Sequence, residues 1–335
     1  MKIFLPFQTK GIGGTVTFAK KFKKGMEAHG HKVFFEEPKE YDILFLIVQA
    51  PFRYLFNAKR QGKKIVQRLD GTYYWSVSSW KFPLFNLKAA IIRHFFADFT
   101  IYQSEYSKYC AEKFLGKKRD DPSALIYNGV DLDLFSPTGK TRNIRENPNQ
   151  QIFFTASAFR RKDQIVPIIK AIEIYRRKYT DNFLLLVAGS FSPELTSIPK
   201  QWSHCNNIRF LGKIDNDDLP AYERSADVFL FTHLNPPCPN NIIEAMACGL
   251  PICGVADGAM EEIVKTGKNG LLVPISGNAF WNMRDIDTEN FADNIHSIIV
   301  SQDSFSTESR RIAQERFSLE TMLERYAKIL EKLMV

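Results

Sequence analysis

The residues best suited to chemistry lie between positions 235 and 274, where the chain reads NPPCPNNIIEAMACGLPICGVADGAMEEIVKTGKNGLLVP. One carboxylate, Glu244, stands near the start of a predicted helix that is otherwise rich in Ile, Met and Ala. If Asn241 is the N-cap, Glu244 is at position N3 and the pair can form a capping box without any ligand. Alternatively, the carboxylate accepts hydrogen bonds from two vicinal hydroxyls, as on a ribose. Gly258 and the turn 258–262 would then offer free N–H groups to a bound sugar or phosphate.

A second candidate is the sequence FRRKD at 159–163, which directly follows an apolar run. Its three cations, Arg160, Arg161 and Lys162, stand where a strand ends and a helix begins. They suit a diphosphate, because guanidinium makes bidentate contacts and ammonium supplies a point charge. The alternative is an ordinary solvated helix start.

A third candidate is GIGG at 11–14, between a first predicted strand and a helix. Glycines let backbone approach a phosphate closely, and a helix N-terminus supplies N–H donors. Thr15, Val16 and Thr17 follow, so neither the dinucleotide fingerprint nor a P-loop fits. A purely structural turn is the alternative.

Composition and charge narrow the class of protein. Hydrophobic residues make up 44% of the 335 positions and charged residues 24%, as in soluble globular proteins, and no apolar run is long enough to cross a bilayer. The net charge of +8 is uneven: residues 1–150 hold 25 Lys and Arg against 14 Asp and Glu, and the remainder holds 20 against 23. The basic half therefore suggests an anionic partner: nucleic acid, an anionic membrane surface or a phosphorylated substrate.

The cysteines predict neither disulfides nor a zinc site. There are five, an odd number without CxxC spacing, which fits a reducing cytosol. His233 and three of the cysteines cluster in sequence, but buried packing is the expected role. No metal site of another kind is expected either.

The segment 75–96 combines aromatic residues with cations, a mixture that suits a membrane surface. With the basic helix at 18–26, it could dock on anionic lipid. An ordinary core helix with solvated cations is the alternative. The residues concerned are Trp75, Trp80, Lys81, Phe82, Phe85, Lys88, Arg93 and His94.

Short apolar strands alternate with helices along the whole chain, which predicts an α/β protein with two doubly wound domains of parallel strands. Phe18, Phe22 and Met26 mark the first amphipathic helix. The polar stretch 136–150 is the candidate linker. Ligands are expected at the carboxyl ends of the strands. The predicted strands are 2–7, 31–35, 42–48, 63–71, 98–104, 123–131, 151–159, 183–190, 208–212, 227–233, 251–256 and 270–274.

Taken together, these motifs resemble the family-4 ("group 1") retaining glycosyltransferases of GT-B fold. The resemblance is carried by ADVFLFTH, IIEAMACGLPICG, DGAMEEIV and KNGLLV, in that order and with typical spacing. GIGGTVTFAKKFKKGMEAHGHKV, ADFTIYQSEYSKY and IYNGVDLDLF extend it less sharply toward the N-terminus. It implies two Rossmann-like domains facing across a cleft that closes on substrate. Residues 1–140 would bind the acceptor and 150–317 the donor, with a helix at about 318–335 packing back on the first domain.

The resemblance also implies roles for single residues. Glu244 would match the second glutamate of the family's Glu-x7-Glu motif, on the donor ribose. Lys162 and Arg161 would stabilise charge on the leaving diphosphate without a metal or other cofactor. The implied donor-binding set is Gly13, Gly14, Arg160, Arg161, Lys162, Asn240, Glu244, Gly258, Ala259, Met260 and Glu262.

Two departures from the family pattern stand out. Pro236 occupies the place of the first glutamate, in a Pro-Cys-Pro-Asn version that resembles a bacterial branch; Asn235 or Asn240 could substitute. Asp70 stands nearest to where the family often has a histidine, which makes Arg68 and Asp70 the acceptor-binding candidates and Asp70 a catalytic, acceptor-orienting one.

The implied activity is transfer of a sugar from a nucleotide-diphosphate sugar, UDP before GDP, to a glycan or lipid-linked acceptor in cell-surface polysaccharide or glycolipid synthesis. The implied location is cytoplasmic, with peripheral attachment to the inner face of the membrane, and nucleic acid is not an expected partner. The alternatives are another GT-B sugar-nucleotide enzyme, such as an epimerase, or a non-catalytic sugar- or nucleic-acid-binding protein. Nucleic-acid binding would show a steep salt dependence.

Overall fold

The computed structural model describes residues 1–8 and 14–334, and these fold as two units. Gly13 of the predicted phosphate loop lies outside the described residues. Unit 1 comprises Met1–Gly129, Phe280–Asn282 and Leu319–Val335, and unit 2 comprises Val130–Ala279 and Met283–Ser318.

The division between the units falls at Gly129, ahead of the polar stretch 136–150. That stretch belongs to unit 2 because it is bonded to it. The backbone N–H of Arg142 donates to Ser225 Oγ at 2.7 Å, and Arg145 forms an ion pair of 2.6 Å with Asp227.

Unit 1 contains a six-stranded parallel sheet in the order β2-β1-β3-β4-β5-β6. Its central strands are buried on both faces, as expected where helices cover the sheet on both sides. The strands are β1 Lys2–Phe4, β2 Lys32–Phe34, β3 Ile43–Ile47, β4 Lys64–Leu69, β5 Phe99–Tyr102 and β6 Ser123–Leu125. Its helices in this part of the chain are α1 Gly14–Ala28, α2 Phe52–Arg60, α3 Trp75–Ser78, α4 Phe82–Ile91 and α5 Glu105–Phe114, with a 3-10 turn at Ser79–Lys81 and a π-helical turn at Ile92–Phe96.

Unit 2 repeats the design with a parallel sheet in the order β12-β11-β10-β7-β8-β9. Its strands are β7 Gln151–Phe159, β8 Phe183–Phe191, β9 Ile208–Gly212, β10 Val228–Leu230, β11 Ile252–Ala256 and β12 Gly270–Pro274. Its helices are α6 Val166–Lys178, α7 Ser197–Gln201, α8 Leu219–Glu223, α9 Asn240–Ala247, α10 Met260–Ile263, α11 Thr288–Val300 and α12 Gln302–Arg316, with 3-10 turns at Lys162–Gln164 and Pro193–Leu195. Among the described residues, no helix is long and apolar enough to cross a membrane.

The strand orders locate a topological switch point in each sheet, where ligands of doubly wound folds bind. In unit 2 the chain runs outward in one direction from β7 and in the other from β10, so the switch lies between these neighbouring strands. In unit 1 it lies between β1 and β3. The doubly wound α/β prediction is therefore confirmed, and the cationic loop and the loop leading to Glu244 both flank the switch of unit 2.

The helix α13 (Leu319–Lys332) completes the core of unit 1. Tyr326 is fully buried against Phe18 and Phe22, with ring centroids 5.6 and 5.5 Å away. Gly25 of α1 allows the two helices to approach closely, because a Cβ there would stand 2.3 Å from Leu323 Cδ1.

Candidate functional site

Of the three predicted cations in the loop after β7, two are available to bind a ligand. Arg160 and Lys162 are exposed, and their side chains make no hydrogen bond or ion pair within residues 1–8 and 14–334. Arg161 instead forms a bidentate pair with Asp163, at 2.9 Å for both bonds. A bound diphosphate would therefore meet Arg160 and Lys162 first, while the charge of Arg161 is partly compensated.

Gln164 shapes this loop, a role that sequence reasoning missed. Its Oε1 accepts the backbone N–H groups of Arg160 at 2.6 Å and Arg161 at 3.2 Å. Its Nε2 contacts His233 Nδ1 at 3.3 Å, on the segment that follows β10. Thr232 on the same segment donates to the carbonyl of Asp163 at 2.9 Å. The loops on both sides of the switch point are thus tied together, and a Gln five residues after a strand end was the available signal.

His233 is electrically neutral at physiological pH. Burial first, and then the positive charge of Arg161, lower the pKa of His233 to about 3. Because the amide Nε2 of Gln164 can only donate, the ring Nδ1 of His233 acts as the acceptor, which fits the neutral form.

Glu244 is not part of a capping box, so that interpretation is wrong. Helix α9 begins at Asn240 after Pro239, without a side-chain cap, which puts Glu244 at the fifth helical position. Asn241, the expected N-cap, donates its amide Nδ2 to the carbonyl of Ala156 at 2.8 Å. The side chain of Glu244 is 6% exposed, on a helix whose residues 242–247 are all buried. A buried carboxylate without a capping role requires another explanation.

The turn after β11 does not offer the predicted free N–H groups. The N–H of Ala259 donates to the carbonyl of Pro236 at 2.9 Å, and that of Met260 to the carbonyl of Asp257 at 3.2 Å. The side chains of Ala259 and Met260 are fully buried. Gly258 has a φ of 63°, and a Cβ there would stand 2.4 Å from Pro236 Cδ. The turn is closed by its own bonds and by close packing on the loop before α9.

Asp257 holds that loop in place. Its Oδ2 accepts the backbone N–H of Asn235 at 2.6 Å; burial raises the pKa of Asp257, while the N–H groups of Asn235 and Gly258 act in the opposite direction. Asn235 has a φ of 57° and is 3% exposed, so it is a loop residue. Asn240 is half-buried at the first position of α9. Glu262 is also half-buried, and its N–H donates to the carbonyl of Ala259 at 3.1 Å.

In unit 1, Arg68 and Asp70 belong to a polar network at the carboxyl ends of β4 and β5. Arg68 is buried, forms an ion pair with Asp70 and donates to Asn128 Oδ1 at 2.8 Å and to the Tyr326 hydroxyl at 3.1 Å. Gln103 Nε2 donates to Asp70 Oδ1 at 2.7 Å. The guanidinium of Arg68 is enclosed by these partners, and its contact with an acceptor stays a prediction. Asp70 is half-buried, and one of its carboxyl oxygens is anchored by this network.

Gly14, the remaining residue of the predicted phosphate loop, is exposed at the first position of α1. No group of three or more His, Cys, Asp or Glu that could hold a metal ion occurs among the residues described. A cavity of about 390 Å³, lined by residues that include Gln151 and Asp227, lies at the amino end of β7, opposite the edge that carries the candidate residues.

In the segment 75–96, two of the cations that were predicted to lie on the surface, Arg93 and His94, instead bond to other groups of the protein. Arg93 is fully buried, paired with Asp121 at 3.1 Å and bonded to the Tyr102 hydroxyl at 2.9 Å. His94 Nε2 lies 2.9 Å from the carbonyl of Leu115. These two residues are therefore structural and do not contribute surface charge.

Helix α4 is inverted relative to an ordinary surface helix, and it is not a core helix either. It buries the polar Asn86, whose amide group exchanges two hydrogen bonds with the backbone of Tyr73 at 2.9 and 2.8 Å. It exposes Leu84 (62%) and Leu87 (54%), and Trp80 just before it is 63% exposed. Large exposed apolar patches on a protein surface mark interaction sites.

Comparisons with known proteins agree with this architecture. Residues 149–300, less than half of the chain, match the family model described as Glycosyl transferases group 1. An uncharacterized glycosyltransferase of Methanocaldococcus jannaschii is 24% identical over 246 residues, which cover 71% of this chain and 59% of that protein. The alpha-monoglucosyldiacylglycerol synthase of Acholeplasma laidlawii is 22% identical over 322 residues, or 78% of this chain and 81% of the synthase. The family match and the named relatives support a transferase.

Two solved structures resemble the whole chain. Sucrose-phosphate synthase from Thermosynechococcus elongatus has a TM-score of 0.82 at 17% identity, covering 99% of this chain and 98% of the synthase. Anabaena HepE in complex with UDP-glucose has a TM-score of 0.73 at 19% identity, covering 99% and 100%. Identities this low show the fold alone, and that fold is GT-B.

Proposed function

We propose that the protein is a retaining glycosyltransferase that transfers a sugar from a nucleotide-diphosphate sugar to a glycan or lipid-linked acceptor. One observation carries this proposal: two exposed cations and a buried carboxylate flank the switch point of unit 2. Arg160 and Lys162 follow β7, and Glu244 follows β10, its neighbour in the sheet. The UDP-glucose complex of the HepE structure makes UDP the favoured carrier over GDP.

The donor would be held at its two polar ends. Glu244 accepts the ribose hydroxyls, a role consistent with its lack of a capping function. Arg160 and Lys162 bind the diphosphate and stabilise the negative charge that develops as the C1–O bond breaks. They take the place of a divalent cation, so binding is metal-independent. The bonds of Gln164 to the loop backbone preorganise these cations.

For retention, we propose that the acceptor attacks the face that the diphosphate leaves. Asp70 is the acceptor-orienting group, since one of its oxygens is fixed by Arg68 and Gln103. We further propose that the Pro-Cys-Pro-Asn loop marks a bacterial-type branch in which Asn240 supplies a contact that Pro236 cannot.

The test is calorimetric binding of UDP and GDP in the presence of EDTA, with wild type, Glu244→Ala and the exposed control Glu289→Ala. Removing a charged acceptor should cost about 1.5–3 kcal/mol of nucleotide affinity in Glu244→Ala, and the control should bind like wild type. If neither nucleotide binds to wild type, the donor assignment fails. If Glu244→Ala binds unchanged, the carboxylate does not contact the ribose.

A specific observation favours a lipid-linked acceptor with peripheral membrane attachment: the inverted helix α4. Its exposed leucines adjoin Trp80 and Lys81, and Lys88 lies 5.5 Å from the ring of Phe52 on α2. Apolar side chains ringed by cations suit insertion into an anionic lipid surface. The glycolipid named for the Acholeplasma relative is consistent with this proposal.

Vesicle co-sedimentation tests the membrane surface. We expect binding to vesicles that contain phosphatidylglycerol and little binding to pure phosphatidylcholine. Leu84→Glu should lower binding by about tenfold or more, because burying a leucine in an apolar phase is worth about 1.5–3 kcal/mol. Val300→Glu is the matched control, since Val300 is 71% exposed on unit 2. Equal binding by Leu84→Glu and wild type would refute the surface.

A further inference from the structure

A second carboxyl group is buried beside Glu244 without a role in the scheme above. Glu223 ends helix α8, which packs against α9, and it is fully buried. Within the described part of the chain, neither of its carboxyl oxygens has a nitrogen or oxygen hydrogen-bond partner, and its hydrogen-bonding neighbour is the weakly donating Cys248 thiol. A buried ionised carboxylate with so weak a donor is very costly, whereas the neutral acid is tolerated.

The surroundings of Glu223 favour the neutral acid. Glu244 and Cys248 are four residues apart, so they lie on the same face of α9. Burial, and then the negative charge of Glu244, raise the pKa of Glu223 well above its usual value, while the Cys248 thiol and Arg224 act in the opposite direction. Burial and the charge of Glu223 likewise raise the pKa of Cys248, and Arg310 on α12 opposes this.

Neither arginine is engaged in an ion pair with the buried acid. Arg224 donates to the carbonyls of Lys140 and Ser136, and Arg310 to those of Phe135, Ala247 and Leu132. Both guanidinium groups thus serve backbone carbonyls. The Glu223 carboxyl is therefore not neutralised by an ion pair, and it is exposed to the negative charge of Glu244. A carboxyl group in such surroundings retains its proton.

We propose that Glu223 is the proton-bearing positioning residue beside Glu244, so that its neutral form leaves Glu244 as the single anion for the donor ribose and its ionisation weakens donor binding. The inference rests on the proposed function. The proton resides on Glu223 because this side chain is fully buried, whereas Glu244 is 6% exposed. When Glu223 loses this proton to solvent at higher pH, two neighbouring carboxylates remain, and the second negative charge opposes binding of the anionic donor.

The first readout is independent of the donor. In a group whose pKa is raised on folding, the folded state holds a proton that the unfolded state loses, so stability falls as pH rises above the unfolded pKa. For one proton, the unfolding equilibrium constant rises by up to about tenfold per pH unit in this window. We expect Glu223→Gln, and Glu223→Met as a second variant of similar length, to lose this component at pH values above the ordinary glutamate pKa of 4.5. The exposed control Glu289→Gln should keep it.

The second readout is calorimetric affinity for UDP over the same pH range. Wild type should lose up to about tenfold in affinity per pH unit once Glu223 ionises, with proton uptake on binding, and Glu223→Gln should show neither effect. Identical stability slopes in wild type and both variants would overturn the protonated assignment. Stability slopes that differ, with equal pH dependence of UDP affinity, would overturn the link to the donor. Absence of nucleotide binding to wild type at every pH would instead overturn the proposed function, and the link with it.

Discussion

The two units place polar residues at the carboxyl ends of their strands in opposite ways. Unit 2 presents Arg160 and Lys162 to solvent without partners among the described residues. Unit 1 encloses Arg68 in an ion pair and two further hydrogen bonds. The same type of side chain therefore has two different roles. An exposed cation is available to an anionic ligand, whereas an enclosed cation holds a neighbouring carboxylate in a fixed orientation.

The largest expected effect is on the enclosed cation. Arg68→Met should lower the free energy of unfolding by about 3–5 kcal/mol, because it leaves Asp70 as an uncompensated, half-buried charge and strands the Tyr326 and Asn128 groups. Chemical denaturation measures this. Arg60→Met on exposed α2 is the matched control, with an expected change within about 0.5 kcal/mol. A loss in Arg68→Met as small as that of the control would show that the network is not structural.

Substitution of the exposed cations of unit 2 should weaken ligand binding and leave stability nearly unchanged. Lys162→Ala should weaken binding of the nucleoside diphosphate by about 1.5–3 kcal/mol and leave stability nearly unchanged. The affinity of the nucleoside alone should not change, which separates the phosphate contact from the ribose contact. Lys170→Ala, an exposed lysine of α6, controls for net charge. Equal loss in both lysine variants would mean a general electrostatic effect.

A smaller, pH-dependent effect tests the bond between the two loops of unit 2. His233 has a pKa lowered to about 3, so below its unfolded value of 6.5 the unfolded chain binds a proton that the folded chain does not. Stability should then fall as pH is lowered, by at most about 1.4 kcal/mol per pH unit. His233→Asn should flatten this decline in acid denaturation, and exposed His204→Asn should not. A decline that is identical in all three proteins would show that His233 titrates normally.

The sequence predicted the sheets well because each strand is a short apolar run between polar turns. The runs 151–159, 208–212 and 270–274 match β7, β9 and β12 residue for residue. In parallel sheets covered on both faces, apolarity alone marks a strand, and local order then locates the loops at its carboxyl end. This is why the cationic loop was predicted at the end of a strand without knowledge of distances.

What the sequence could not supply was the partner of each polar group. Arg160, Arg161 and Lys162 look equivalent in FRRKD, but only the fold shows that Asp163 occupies Arg161. In the sequence Arg93 looks like a surface cation, but in the structure it forms an ion pair with Asp121, which is distant along the chain. The burial of Glu223 beside Glu244 depends likewise on how α8 packs against α9. The last two of these relationships are long-range, and periodicity carries no information about them.

The position of α13 has a consequence for how the chain acquires its structure during synthesis. Unit 1 cannot fully bury Phe18 and Phe22 until Tyr326 has been synthesised, and all of unit 2 is translated before Tyr326. Domains usually fold in the order in which they emerge from the ribosome. Here we expect the reverse order, in which unit 2 completes its core first. Until α13 is synthesised, the aromatic residues of unit 1 stay exposed and are accessible to chaperones.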